Sequence, residues 1–316
     1  MKNYAPVLII TLNRFEHFKR CVESLSSCTD ADKTDLYIAF DYPAKENHWE
    51  GYRRIEDYIT KINGFSSINI LKRTENFGAV KNQLESQSKI FEKYDRLIFS
   101  EDDNEFSPNF LDYINTGLNK FENDPNILAI CGYNYPVVIP KDYKYNFYYY
   151  KAFSAWGVGI WKNKPLVYSY NPNEILGLIK NNIYIRESIK YYQLANLYYL
   201  LISIMQVKQT YGDGANTINL LKDNKYCIFP TVSKTRNHGH DGSGIHCGLS
   251  KDDIFVNQKI DGDYKFTYTE KAPPIDKNII KKLRHYFSLN YKAQLKFFYL
   301  CLIYVFKQCL PVKYEK

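Results

Sequence analysis

The sequence lacks the patterns of several common classes of metal- and nucleotide-binding protein. None of its seven cysteines stands in a C-x-x-C pair, and the odd count favours reduced thiols in the cytoplasm over a disulfide framework or a zinc finger. G-x-x-x-x-G-K-[ST] is absent, as is G-x-G-x-x-G after the first predicted strand. Neither a P-loop nor a nicotinamide or flavin site is therefore expected.

Long hydrophobic runs are also missing. The apolar stretch over residues 6–11 is too short for a signal peptide and leads into a polar motif. Near the C-terminus, residues 297–306 form an apolar core between Lys296 and Lys307, well below the ~20 residues of a membrane-spanning helix. We therefore expect a cytoplasmic protein without a transmembrane helix.

The positive charge is concentrated in one segment. The formal net charge is +8, and residues 279–316 hold many cations and a single acid, Glu315. A basic, aromatic-rich end of this kind suits the surface of an anionic bilayer. A helix packed on the body of the protein is the alternative. Nucleic-acid binding is not expected, because the charge lies beside apolar aromatic residues.

Strand and helix patterns alternate from the N-terminus onward. Continuous apolar runs predict strands, and stretches with apolar residues at helical spacing, such as Phe15, Phe18, Val22 and Leu25, predict the helices between them. The predicted strands span residues 6–11, 35–41, 68–72, 96–100 and 127–133. This order predicts an α/β fold with a mostly parallel central sheet flanked by helices.

The alternation loosens after residue 104. One helix is predicted to open with Ser107 as its N-cap and Pro108 at its first position. Another is predicted to run without a break over residues 187–209, where its apolar stretch is expected to pack in the core.

Polar and charged residues follow the predicted strands at their carboxyl ends, where ligands bind in parallel sheets. They are Thr11, Asn13 and Arg14, then Asp41, then Arg73, Asn76 and Gly78, and finally Glu101, Asp102 and Asp103. The three consecutive acids repel one another unless a positive group lies between them. Carboxylates on one loop form a hard-oxygen site for Mg²⁺ or Mn²⁺, which in turn binds substrate phosphates. A solvated turn is the alternative.

Four segments in this chain resemble motifs of one enzyme family. They are PVLIITLNRFEHFKRCVESL, FSEDDNEFSPNFLDY, SAWGVGIWK and NHGHDGSGIHC, spread over about residues 5 to 250. In them the chain resembles the GT-A glycosyltransferases of the family-two-like bacterial type. The resemblance implies a GT-A (Rossmann-like) sheet, an acceptor-side lobe and a C-terminal helical tail. The expected segments are a nucleotide-sugar-binding half (1–105), an acceptor-binding and catalytic half (106–265) and a basic amphipathic tail (266–316).

Carried over position by position, the resemblance implies a donor site for a nucleotide-sugar. Its residues are Thr11, Asn13 and Arg14 on the base and ribose side, Asp41 facing the base, and Arg73, Asn76, Gly78 and Trp156 along the pocket or its acceptor side. Each has a structural alternative. The asparagines could cap helices, the glycine could serve a turn, and Asp41 could be a solvated strand end.

The resemblance also assigns the acids of FSEDDNEF. Asp103 would be the direct metal ligand, Asp102 would contact the ribose or sugar, and Glu101 would be the outermost donor-binding acid. His246 would add a metal or diphosphate contact. Zinc is the alternative for this histidine-rich segment, but its other two histidines fall at variable positions of the motif. Its glycines are expected to form a loop that closes over the diphosphate.

Transfer with inversion needs a carboxylate base that removes the proton of the acceptor hydroxyl. The family places an acid ahead of the segment that corresponds to CIFP, and Asp213 stands there. The chain departs from the family at this point, because Tyr211 and Gly212 precede the aspartate where a tryptophan pattern is common. A glycine-flanked turn aspartate is therefore the open alternative.

Together these features predict a metal-dependent, inverting glycosyltransferase. Its donor would be a nucleoside-diphosphate sugar and its acceptor a hydroxyl of a glycan, expected to be lipid-linked, in bacterial surface polysaccharide synthesis at the cytoplasmic face of the inner membrane. A non-catalytic glycan-binding or scaffolding protein with the same fold is one alternative. A sugar nucleotidyltransferase is the other, although TLNRFEHF lacks the glycine-rich loop of those enzymes.

Overall fold

The computed structural model describes residues 4–243, 254–271 and 273–309, with side chains up to residue 305. These residues form two compact units. The first comprises Met1–Pro136, Lys141–Pro165 and Tyr226–Ile275, and the second comprises Val137–Pro140, Leu166–Lys225 and Asp276–Lys316. The three functional segments expected from the sequence follow other boundaries and stay a prediction.

The strands and helices alternate through most of the first unit. The strands are β1 (Val7–Thr11), β2 (Asp35–Phe40), β3 (Ser67–Lys72), β4 (Arg96–Glu101), β5 (Asn104–Phe106), β6 (Ile127–Cys131), β7 (Phe147–Tyr150), β8 (Val158–Trp161), β9 (Ser169–Tyr170), β10 (Thr210–Tyr211), β11 (Tyr226–Pro230) and β12 (Thr235–Asn237). The α-helices are α1 (Phe15–Ser26), α2 (Trp49–Ile59), α3 (Gly78–Ile90), α4 (Phe110–Lys120), α5 (Pro172–Ile179), α6 (Asn182–Tyr192), α7 (Ala195–Met205), α8 (Gly212–Lys222), α9 (Lys277–Tyr286) and α10 (Tyr291–Cys309).

An eight-stranded sheet forms the centre of the first unit, in the order β3-β2-β1-β4-β8-β6-β11-β7. Its strands run in one direction except β7 and β8, which are antiparallel to their neighbours. Helix α3 packs against β1 and β2, and α4 packs against β6 and β8. The predicted α/β class, with a mostly parallel sheet flanked by helices, is confirmed.

Burial explains why the sequence forms these elements. Strands β4 and β6 are buried along nearly their whole length, as their continuous apolar runs predict for strands covered on both faces. In α1 the buried residues Phe18, Cys21, Val22 and Leu25 recur at helical spacing and form the face that enters the core. The sheet thereby places the ends of β1 and β4 side by side, since these two strands are paired.

The predicted start of α4 is wrong by two residues. The helix begins at Phe110 with Asn109 at the N-cap position, rather than at Pro108 after Ser107. The Ser107 hydroxyl donates to the Asn109 side chain at 2.9 Å, and its carbonyl accepts the Phe110 N–H at 3.0 Å. Residues 107–109 therefore form a separate turn before the helix.

The helix predicted over residues 187–209 is two helices, α6 and α7. The break lies at Gln193, whose φ of +52° is incompatible with a right-handed helix. After the break, the Asn196 side chain donates to Tyr184 Oη at 2.7 Å and to Ser188 Oγ at 2.9 Å. These bonds hold the start of α7 against α6, which a continuous helix would not allow.

The second unit consists of α5 to α10 and the two-stranded β9–β10 sheet. A capping box at Asn171 and Glu174 starts α5, and Asp276 caps α9 through the N–H groups of residues 278 and 279. Within this unit α9 packs against α6 and α10 against α7. In the part of the chain that the structure describes, no helix has both the length and the apolar character to cross a membrane.

Candidate functional site

The acidic motif lies in the tight link between β4 and β5. Asp102 and Asp103 are only 4% and 6% exposed. Strand β5 pairs with β12, and this pairing sets Asn104 opposite Asn237. The two acids are therefore enclosed between the loop after β1 and the segment after β12. A solvated turn, the alternative considered from the sequence, does not describe this arrangement.

Arg14 bridges the two carboxylates. Its Nη2 pairs with Asp102 Oδ1, and its Nη1 lies 2.9 Å from Asp103 Oδ2. The Thr11 hydroxyl donates to Asp102 Oδ2 at 2.9 Å, and the Asn237 amide donates to Asp103 Oδ1 at 2.8 Å. Three of the four carboxylate oxygens accept a hydrogen bond, and the fourth, Asp103 Oδ2, meets Arg14 Nη1 as an ion pair without hydrogen-bond geometry. The positive group that the acids require is the guanidinium.

The charges of this cluster shift one another's pKa values. Burial raises the pKa of Asp102, which Arg14 opposes and Asp103 reinforces. Burial lowers the pKa of Arg14, but the two carboxylates outweigh it, so that the guanidinium stays charged with a pKa above its usual value. Burial, with both acids nearby, raises the pKa of Cys21, which therefore remains a thiol and not a nucleophilic thiolate.

The segment after β12 closes tightly on Asp103. The His238 N–H donates to the Asp103 carbonyl at 2.8 Å, and the His238 ring lies 2.6 Å from Glu105 Oε2. A Cβ at Gly239 would lie 2.3 Å from Asp103 Oδ2, so a larger residue at this position requires the Asp103 carboxylate to shift. In the sequence, His238 is one of the two histidines at variable motif positions, and Gly239 is one of the glycines expected in the loop over the diphosphate. The structure makes them neighbours of the acid instead.

No zinc cluster forms among the described residues. His240 stacks on Phe255 with ring centroids 4.3 Å apart and lies edge-on to Trp156. Within residues 4–243, 254–271 and 273–309, no group of three or more His, Cys, Asp or Glu side chains is placed to hold a metal. His246, the predicted metal or diphosphate contact, lies outside the described residues.

The carboxylate oxygens of Asp102 and Asp103 are chemically suited to a divalent cation, but Arg14 already contacts them. Oxygen ligands from one or two acids are what Mg²⁺ or Mn²⁺ takes from a protein. Here Arg14 already binds one oxygen of each acid, and a cation so close to a guanidinium would be repelled. Asp102 and Asp103 therefore fit a cation only if Arg14 moves away from at least one of them.

Asp41 organises the second part of the predicted donor pocket. It is buried, and its Oδ1 accepts the N–H groups of Tyr42 at 2.9 Å and Phe77 at 2.8 Å. Its Oδ2 accepts the Gly78 N–H at 2.9 Å and the Asn76 amide at 3.4 Å. Gly78 has φ +72°, a conformation that favours glycine. Asp41 therefore anchors the start of α3 and is no solvated strand end; its contact with a base stays a prediction.

Arg73 and Asn13 lie at the same edge of the sheet. The Arg73 Nε donates to Asn82 Oδ1 at 2.8 Å, its Nη2 donates to Ser86 Oγ at 2.7 Å, and its guanidinium lies over the Phe77 ring. Two of the Arg73 nitrogens therefore bind side chains of α3. The carbonyl of Asn13 lies so close to α2 that a Cβ at Gly51 would come within 1.8 Å of it.

Of the remaining predicted residues, Glu101 and Trp156 belong to the first unit and Asp213 belongs to the second. Glu101 ends β4 and is half-buried, and its place as the outermost acid of a donor site stays a prediction. Trp156 packs edge-on against Tyr133, with ring centroids 4.7 Å apart, in the first unit. Asp213 belongs to the second unit, where it is exposed in the first turn of α8.

Comparison with known proteins gives a distant structural likeness only. No family model matches the chain, and no curated protein matches it either. Similar solved structures include the mannosyltransferase PcManGT from Pyrobaculum calidifontis in complex with GDP-Man and Mn²⁺, with 10% identity, a TM-score of 0.38, and coverage of 71% of this chain and 69% of that one.

S. aureus TarS is also similar to this chain. TarS 1-349 in complex with UDP-GlcNAc has 12% identity, a TM-score of 0.39, and coverage of 77% of this chain and 61% of that one. For the TarS structure matched at 12% identity and a TM-score of 0.34, the match covers 49% of this chain and only 28% of the other. Because every one of these TM-scores lies below 0.5, the chemistry of this chain has to be inferred from its own residues.

Proposed function

We propose that this protein is a glycosyltransferase that moves a sugar from a nucleoside-diphosphate sugar to a hydroxyl group. The buried pair Asp102 and Asp103 at the carboxyl edge of a parallel sheet is the observation that supports this most directly. Two like charges held out of water are unfavourable for folding alone and are typical of sites that bind a charged ligand.

The donor would lie along the ends of β1 to β4. Thr11, Asn13 and Arg14 would meet the base and ribose side, and Asp41 with the start of α3 would border the base. The Thr11 hydroxyl and the N–H groups at the start of α3 donate to Asp102 and Asp41, so they hold these two acids at the edge where the donor would lie. Uracil, guanine and thymine all remain candidate bases.

We further propose that Mn²⁺ or Mg²⁺ takes part, held by Asp103 with Asp102 nearby. Such a cation would neutralise charge on the departing nucleoside diphosphate. An inverting transfer needs in addition a carboxylate that accepts the proton of the acceptor hydroxyl, and Asp213 is the candidate base. The exposed position of Asp213 at the start of α8 leaves its carboxylate within reach of solvent.

The acceptor is proposed to be a lipid-linked glycan at an anionic membrane surface. Helix α10 has apolar and aromatic side chains between 53% and 74% exposed, namely Tyr291, Leu295, Phe298, Tyr299, Leu302 and Val305. From Lys277 to Tyr314 the sequence contains no Asp or Glu. An apolar stripe in a basic segment favours binding at the interface of anionic lipids. The inner face of α10 packs within its own unit, with Phe297 and Leu300 buried.

Nucleotide binding tests the donor site. Melting temperatures would be measured with UDP, GDP and dTDP, each with Mn²⁺ and with EDTA, for the wild type, Asp103→Asn and the control Asp57→Asn, an exposed acid on α2. A ligand at 100 times its dissociation constant stabilises the folded state by about 2.7 kcal/mol. We expect one nucleotide to raise the melting temperature of the wild type and the control but not of Asp103→Asn. No shift with any nucleotide would favour the non-catalytic glycan-binding alternative.

A further inference from the structure

Arg14 occupies the position at which a cation would neutralise the two acids. The side chains of Asp102 and Asp103 are 6% and 8% exposed, while that of Arg14 is 21% exposed. With both acids ionised, two carboxylates and one guanidinium leave the cluster with a net charge of −1. Without the guanidinium the net charge would be −2 in a water-poor site, where like charges interact strongly.

Among the described residues, the other side chains that contact the two acids are neutral. Thr11 and Asn237 each donate one hydrogen bond, at 2.9 and 2.8 Å, and neither brings a charge. In the described ion pairs of this cluster, both acids pair with Arg14, and neither pairs with a Lys or His side chain. Within the described part of the chain, Arg14 is therefore the counter-charge of the carboxylates, and it is also the most exposed member of the cluster.

We propose that Arg14 and a divalent cation are alternative counter-charges of Asp102 and Asp103, so that the acids take up the cation only when Arg14 leaves them. This inference rests on the proposed donor site. It adds an order of events there, in which the diphosphate arrives before the acids take up the cation. A diphosphate supplies oxygens to which a guanidinium can donate in a bidentate manner. Arrival of the diphosphate would thus draw Arg14 away from the acids, toward the phosphates instead of the base and ribose side to which the resemblance assigns it. Without nucleotide, the protein would bind the cation weakly.

The test is Mn²⁺ binding in the absence of nucleotide, read from the electron paramagnetic resonance signal of free Mn²⁺ and from the melting temperature. We expect Arg14→Met to melt lower than the wild type without metal and to bind Mn²⁺ on the order of 10-fold more tightly or better, which lies in the usual range of coupling between two sites. Adding Asp103→Asn to Arg14→Met should abolish that gain.

Arg54→Met is the matched control, since Arg54 pairs with Glu16 on the surface and should leave Mn²⁺ affinity unchanged. If Arg14→Met does not fold, Arg14→Lys serves instead, because a single ammonium cannot bridge both acids and should give a smaller gain. Mn²⁺ affinity of the wild type equal to that of the Arg14 variants would overturn the inference. Since no nucleotide is present, a failed donor site and a failed counter-charge exchange give separate results.

Discussion

A buried ion pair between Lys234 and Asp261 allows a quantitative prediction for the first unit. The Lys234 side chain is 1% exposed, its Nζ pairs with Asp261, and it lies 4.6 Å from the centre of the Phe266 ring. Asp261 also accepts the Asn109 amide at 3.1 Å. Burial lowers the pKa of Lys234 against the opposing effects of Asp261 and, less strongly, of Asp263, and Asp261 is the carboxylate that pairs with the lysine directly.

Asp261→Asn removes the negative partner and leaves the lysine buried. Breaking such a pair from one side destabilises a protein by about 3–5 kcal/mol, because an uncompensated charge remains in the interior. Pairing Asp261→Asn with Lys234→Met should recover part of this loss, since the buried charge is then gone as well. The effects of the two substitutions on the free energy of unfolding are therefore expected to be strongly non-additive.

Urea unfolding followed by tryptophan fluorescence measures the effect where it arises, because Trp49, Trp156 and Trp161 all lie in the first unit. Glu56→Gln is the matched control. It breaks the pair with Lys72, whose side chains are about half exposed, and should change stability by less than about 1 kcal/mol. The reasoning would be refuted if Asp261→Asn lowered the free energy of unfolding by less than about 1 kcal/mol. It would also be refuted if the double variant lost as much stability as the two single variants together.

Three further predictions concern the site, the base and the membrane surface. Gly239→Ala should push the Asp103 carboxylate aside, lower stability by about 1–3 kcal/mol and weaken nucleotide binding. The control Gly177→Ala, with open space at its Cβ, should be neutral or slightly stabilising. Equal melting temperatures for the two variants would contradict the packing argument. Asp213→Asn should abolish sugar transfer while nucleotide binding persists, and a loss of nucleotide binding would refute its role as base. Leu302→Glu should reduce sedimentation with anionic vesicles, and the wild type should bind neutral vesicles less well; sedimentation unaffected by the substitution would argue against α10 as the lipid-facing element.

Continuous apolar runs made the first half of the sheet predictable. Strands β1 to β4 lie within two residues of their predicted bounds because a buried parallel strand needs apolar residues on both faces. The rule that ligands bind at carboxyl strand ends then led to Thr11, Asp41 and the acids of the β4–β5 link. That these acids are buried was not predicted, since their own sequence reads as a charged turn.

The partners of the acids could not be read from the sequence. Asn237 reaches Asp103 through the pairing of two three-residue strands, β5 and β12, which are too short and polar to show a strand pattern. The break at Gln193 depends on a backbone conformation that glutamine rarely adopts, so the residue type does not predict the end of the helix there. Arg14 was predicted near the ligand but not between the acids, because ion pairing across 88 residues leaves no local signal.

Donor cleavage tests the central claim most directly. The purified protein would be incubated with UDP-, GDP- and dTDP-sugars and Mn²⁺, and the release of nucleoside diphosphate would be measured for the wild type, Asp102→Asn and Asp57→Asn. We predict release from the sugars of one nucleotide, lost in Asp102→Asn and retained in Asp57→Asn. No release from any donor, or equal release by Asp102→Asn, would contradict a nucleotide-sugar site at the buried acids.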